Sequence, residues 1–302
     1  MENAALLNQS TAEVRKILVP VDYSECSQLA CRYAFQLASI IHAEIHLFHT
    51  FYSPAFDLVE LTSSKKERQR IKKQIYQSEK EKEEVQFKAF YESVMKAYSG
   101  DVSTIEVNHT LQPGIPTIEI IDFSEDYLPD LIVMGTKGRN KETAILGSVT
   151  EKIIHRSEYP VLTIPEDYIF VGLNKVNSVL FVTNTDESDF ESVRKLMLLT
   201  EPYSLKINYL HICKDRESHK EILKLEGIKK YFSEVYGDYN IDFFTADNKD
   251  ILVQIDELVL EKQIKIIAIS RKKRSLISKL FKSSLTKRLF YHTTVPLLVF
   301  QP

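Results

Sequence analysis

Lys16-Ile17-Leu18-Val19-Pro20-Val21-Asp22 has a counterpart in Ser178-Val179-Leu180-Phe181-Val182-Thr183-Asn184, with Val179 standing 162 residues after Ile17. The next apolar alternation keeps that spacing, because Ile45-His46-Leu47-Phe48-His49 aligns with Ile207-Asn208-Tyr209-Leu210-His211. A gap-free block of strand, helix and strand is therefore used twice. Farther on, Asp130-Leu131-Ile132-Val133-Met134 matches Lys265-Ile266-Ile267-Ala268-Ile269 at an offset of 135, so the first copy carries 27 extra residues. Tyr159-Pro160-Val161-Leu162-Thr163-Ile164 matches Val295-Pro296-Leu297-Leu298-Val299-Phe300 at an offset of 136, and the copies end alike.

Within each copy, short runs of Val, Ile and Leu are bounded by turn residues and separated by helix-length segments. That is the pattern of a parallel sheet buried between helices. Copy one reads as strand 17–21, helix 26–41, strand 44–49, a helical insert, strand 104–110, helix 116–126, strand 131–135, helix 149–157 and strand 160–164. Copy two follows with strands near 178–183, 205–212, 240–245, 264–270 and 296–300. The fold class expected is α/β: two tandem doubly wound domains, 1–165 and 177–302, each a five-stranded mainly parallel sheet with helices on both faces. Residues 166–176 are the expected linker.

The extra length lies between the second and third strands, where Ser64 to Tyr98 is dense in Lys, Glu, Arg and Gln and lacks Pro and Gly. A long solvated helix is expected there. Ile71, Ile75, Val85, Phe87, Phe90, Tyr91, Val94 and Met95 have partial helical spacing, so one face can lie on the domain. The basic patch Lys65 to Lys73 reads as a solvated face laced with ion pairs rather than as an interaction surface.

Lys plus Arg (39) nearly balance Asp plus Glu (42), so no global field draws the chain to nucleic acid or to an anionic membrane. Cys26, Cys31 and Cys213 are too few for a disulfide framework, and a reducing cytoplasm is the expected location. Residues 1–15 lack the basic start and apolar run of a signal peptide, and no stretch approaches the roughly 20 apolar residues of a membrane span.

The sharpest motif is Met134-Gly135-Thr136-Lys137-Gly138 directly after the fourth strand, followed by Leu146-Gly147-Ser148-Val149-Thr150-Glu151 at a helix start. Glycines let backbone amides approach a phosphate with no Cβ in the way, and a helix start offers orphan amides and the positive end of its dipole. Ser148 with Glu151 has capping-box spacing, which makes Ser148 the expected N-cap. The alternative is that Gly135 and Gly138 only shape a turn and Ser148 only caps. The position, at the carboxyl edge of a parallel sheet, favours a phosphate site. The spacing is that of neither a P-loop nor a dinucleotide fingerprint.

With Ile17 to Ser24 at the first strand, Leu47-Phe48-His49 at the second, Gln112-Pro113-Gly114 after the third and the glycine loop, the chain resembles the universal stress proteins in their tandem two-domain form. The likeness spans nearly the whole chain. It implies an adenine nucleotide alpha hydrolase-like fold, with the two copies packed as an intrachain pseudo-dimer in which Val161, Leu162 and Ile164 meet Leu297, Leu298 and Phe300. Members that bind ATP carry Gly-x2-Gly-x9-Gly-Ser/Thr; this chain has Gly135-x2-Gly138-x8-Gly147-Ser148, one residue shorter. The resemblance places Asp22 by the adenine and ribose and Thr50 at the base through its backbone. It sets Gly135, Gly138, Gly147, Ser148 and Val149 around the phosphates. Asp22 also reads as an Asx-turn residue before the first helix.

Copy two departs at each of these positions. Asn184 stands for Asp22, Ser270 for Gly135, Lys273 for Gly138 and Ser283-Ser284 for Gly147-Ser148, within a basic loop running from Arg271 to Lys282. None of the eight histidines shows a metal-ligand spacing, Cys26 and Cys31 read as buried small residues, and no hydrolase elbow nominates a nucleophile. The expected function is a stress-response regulator that binds ATP or AMP, alone or with Mg2+, in its N-terminal domain. It would signal through a protein partner, either as the single chain or as a further homo-oligomer. A nucleotide-free interaction module and a slow ATPase are the alternatives.

Overall fold

A computed structural model describes residues 15–52, 64–98, 100, 103–136, 147–169, 178–183, 187–200, 205–213, 218–237, 240–247, 251–271 and 295–301. The chain divides into two compact units, Arg15–Phe170 and a second that contains Val171–Pro302.

The first unit runs β1 (Arg15–Val21), α1 (Glu25–Ile41), β2 (Ala43–Phe51), α2 (Lys65–Ala97), β3 (Val107–Pro113), α3 (Pro116–Tyr127), β4 (Leu131–Gly135), α4 (Ser148–Arg156) and β5 (Val161–Ile164). Its strands lie in the order β3-β2-β1-β4-β5, all parallel. Ile17, Leu18, Val19, Ile45, Ile132 and Val133 are fully buried, as strands covered on both faces require. Helix α1 starts where Ser24 accepts the Ser27 N–H and stops at His42 in a left-handed conformation.

The second unit runs β6 (Ser178–Thr183), α5 (Glu187–Thr200), β7 (Lys206–Cys213), α6 (His219–Tyr236), β8 (Ile241–Asp247), α7 (Ile251–Glu261), β9 (Ile266–Ser270) and β10 (Leu297–Phe300). Its order, β10-β9-β6-β7-β8, repeats that of the first unit. The registers repeat as well. Ile17 faces Ile45 and Leu131 in one unit, and Val179 faces Ile207 and Ile266 in the other.

Two expectations need correction. The third strand is Val107–Pro113 rather than 104–110. Ile105 is buried, which mimics strand alternation, but pairing with β2 from Ile45↔Val107 to Phe51↔Pro113 decides the register. Pro113 is tolerated because β3 is an edge strand. In α2, Phe87, Phe90 and Val94 are buried against the unit, whereas Val85 is 70% exposed and does not face the domain. The side chains of Ile71 and Ile75 lie outside the described ones.

The two halves of α2 differ in what covers them. Phe87 stacks on His109 of β3 and Tyr91 sets its edge against Phe35 of α1, so residues 83–97 are anchored. Positions 70, 73, 74, 77, 78 and 80–82 are exposed. We expect amides of 70–82 to exchange faster than those of 83–97, and much faster than those of 17–21 and 131–135. Hydrogen exchange as slow as in the strands would contradict this.

Among the described residues no helix is long and apolar enough to cross a membrane. Tyr168, within the expected linker 166–176, sets its ring edge-on against Tyr33 of α1 inside the Arg15–Phe170 unit. Residues 170–176 lie outside the described residues.

Candidate functional site

In the first unit the chain leaves β1 for β2 on one side, while the crossover from β3 lands on β4 at the other. The topological switch point therefore lies beyond the carboxyl ends of β1 and β4, the place where open α/β sheets bind their ligands. The segments that reach it are Asp22-Tyr23-Ser24, Gly135-Thr136 and the start of α4.

Asp22 accepts hydrogen bonds from the Ser24 N–H (3.2 Å) and the Ser24 hydroxyl (2.6 Å). It therefore performs the Asx-turn role that orients the α1 cap, whatever else it touches. Tyr23 between them has φ 63°, an uncommon conformation for an aromatic residue. Its ring is held by stacking on His49 at 4.1 Å and by Phe90 of α2 at 5.3 Å. His49 closes the β2 end. Its Nδ1 lies 2.7 Å from the Val21 carbonyl, which can only accept, so Nδ1 carries a proton and Nε2 faces Glu83 at 3.6 Å. Burial pushes the Glu83 carboxyl above its ordinary range. Thr50 follows on β2, partly buried and paired with Gln112 of β3.

Gly135 ends β4, and a Cβ there would stand 2.7 Å from Cys26 Sγ and 2.9 Å from the Cys26 carbonyl. The first turn of α1 thus requires this glycine for packing. Gly147 is the N-cap of α4 in extended conformation, and Ser148 is already the first helical residue, exposed, with no side-chain cap bond. The expected Ser148 cap with Glu151 is not formed. The reason is that Gly147 takes the cap position, its N–H donating to the Thr136 carbonyl, while Thr150 Oγ1 donates to the Gly135 carbonyl at 2.9 Å. These two bonds fasten the start of α4 to the end of β4. Val149 is partly buried beside them, and Gly138 lies outside the described residues.

The equivalent point of the second unit is built of polar side chains. Ser270 is buried and accepts from Ser192 at 3.1 Å, and Thr183 donates to the buried Asp189. Burial lowers the Arg271 guanidinium below its usual range. Asn184, Lys273, Ser283 and Ser284 lie outside the described residues. One pairing recurs in both units: His211, equivalent to His49, meets Glu221 of the following helix at 2.8 Å. The repeated histidines are visible in the sequence. Their glutamates are not, because they sit at unrelated spacings on helices of different length. Among the described residues no three His, Cys, Asp or Glu side chains form a metal-holding group.

Residues 13–165 match the universal stress protein family. Two universal stress proteins of Methanocaldococcus jannaschii are each 30% identical to the chain. One match runs over 162 residues, 50% of this chain and 94% of the relative, and the other over 152 residues, 50% and 81%. The crystal structure of a universal stress protein from Archaeoglobus fulgidus matches 95% of this chain and 96% of its own, with a TM-score of 0.63 at 16% identity, a likeness of fold.

Proposed function

The chain belongs to the universal stress protein family, and from that premise we propose that it binds one adenine nucleotide, ATP or AMP, at the switch point of the Arg15–Phe170 unit and acts through protein contacts. The observation that carries this reading is the start of α4. Its first turn has no side-chain cap and is fastened by Gly147 and Thr150 to the end of β4. Uncapped amides and the positive end of the dipole form a seat for phosphate oxygens, with the exposed Ser148 hydroxyl beside them. The Asp22 turn and Thr50 stand at the β1 and β2 side of the switch point, where the base and ribose would lie. Mg2+ would accompany ATP by neutralising phosphate charge. Three buried cysteines held as thiols suit a reducing cytoplasm.

Isothermal calorimetry tests this. One site per chain is expected, with Gly147→Val weakening ATP and AMP at least about tenfold because a Cβ and two methyls obstruct the amides. Ser148→Ala loses less, about two- to fivefold, since one hydroxyl contact goes while the amides remain. Two equivalent sites, or none at millimolar nucleotide, would defeat the reading. The second reading, a nucleotide-free interaction module, is favoured by Gly135, whose missing Cβ is accounted for by Cys26 alone.

A further inference from the structure

Strand β3 ends the sheet of the first unit, and its hydrogen-bond parity follows from two contacts. Ile45 N–H donates to the Glu106 carbonyl and Gly114 N–H to the Phe51 carbonyl. In a parallel ladder with Ile45↔Val107 and Phe51↔Pro113, the groups of Asn108, Thr110 and Gln112 then turn inward to β2. The N–H and C=O of Val107, His109 and Leu111 point outward, and none meets another backbone group among the described residues. Beside this edge runs a groove of about 460 Å³ between α2 and β3. Phe87 and Tyr91 line it from the helix, Val107 and His109 from the strand, and the 70% exposed Val85 stands at its rim. Val107 and His109 are two apart, so they share the face of β3 that looks toward α2.

We propose that this edge and groove bind an extended peptide segment of a partner protein that carries alternating apolar side chains and one acidic side chain. The peptide adds a strand to β3 through the outward groups of Val107, His109 and Leu111, and its alternate side chains enter the groove against Phe87, Tyr91 and Val85. The sign of the charge follows from the two ionic groups on the helix side. Glu84 is engaged by His109 at 3.3 Å, while Lys88, exposed in the same groove, makes no ion pair among the described residues. An acidic side chain on the peptide is the complement Lys88 lacks. The proposal rests on the protein-contact half of the function proposed above and is independent of nucleotide.

The test uses the full chain, isotope-labelled for amide NMR, and two capped seven-residue peptides that alternate valine with threonine, one with a central glutamate and its twin with lysine. Peptide is expected to shift the amides of Val107, His109 and Leu111, with the glutamate peptide tighter by about two- to fivefold, as for an exposed ion pair. Lys88→Glu should reverse that preference. His109→Pro removes an outward N–H while sparing the β2 ladder, and should weaken both peptides about tenfold. Amide shifts absent from β3 at millimolar peptide, or twins bound equally by both the native chain and Lys88→Glu, would overturn the proposal. So would self-association that His109→Pro abolishes in sedimentation, which would give the edge to a second copy of the chain. Adenine-nucleotide calorimetry on the same samples separates the outcomes, since loss of peptide binding with nucleotide retained removes the groove and leaves the switch-point reading standing.

Discussion

Gly135→Ala is expected to destabilise the chain by about 3 kcal/mol, the upper end for a methyl forced into a packed site. The added carbon would lie 2.7 Å from Cys26 Sγ and 2.9 Å from the Cys26 carbonyl oxygen, both closer than real side chains tolerate. Neither neighbour can swing away, since Cys26 is 3% exposed in the first turn of α1 and its sulfur also contacts the Ile164 carbonyl at 3.6 Å. Relief therefore requires α1 to lift from β4. The double change Cys26→Ala with Gly135→Ala should recover part of the loss, because it removes the sulfur clash but not that with the carbonyl. Urea unfolding of the four proteins measures this, as the midpoint at constant slope reports stability. A single-variant loss below about 1 kcal/mol would contradict the packing account and return Gly135 to the phosphate loop alone. The second unit does without a glycine here: Ser270 is buried, and its hydroxyl is occupied by Ser192.

Acid should weaken the fold through His46, by about 2 kcal/mol once partial screening of the half-buried ring is allowed for. Desolvation, with a smaller contribution from the charge of His109, holds its pKa down to about 4 from an ordinary 6.5. The ring lies between β2 and α3, with Nε2 2.8 Å from Thr110 Oγ1 and with Phe123 and Tyr127 packed on it at 4.7 and 5.2 Å. The folded chain thus binds fewer protons than the unfolded chain between pH 6.5 and 4. The contribution is full above 6.5, declines as the pH falls, and is gone below about 4. His46→Gln keeps a partner for Thr110 and removes the titration, so its stability should fall less between pH 7 and pH 4 than that of the native chain. Parallel slopes for the two proteins would refute the assignment.

The periodic information was local, and so it was legible. Five-residue runs such as Ile17–Val21 and Leu131–Gly135 announce buried parallel strands because both faces of such a strand must be apolar. The 162-residue offset then placed Val179 opposite Ile207 just as Ile17 lies opposite Ile45. The breaker-free charged run became α2 within a residue at each end. Gly135, Gly147 and Ser148 stand out in the sequence because turns and helix starts demand special residues wherever they occur.

What those residues do was decided by partners distant along the chain. Gly135 is a glycine because Cys26, more than a hundred residues earlier, occupies the space of its Cβ. Ser148 is the first helical residue rather than the cap because Thr136 and Gly135 supply carbonyls that hold Gly147 and Thr150 in place. The glutamates that face His49 and His211, and the outward edge of β3 beside Val85, follow from sheet register and helix rotation. Local sequence sets the period of an element and the cost of its ends. Its register and rotation are chosen by the summed packing of the whole unit, and only the tertiary structure carries that sum.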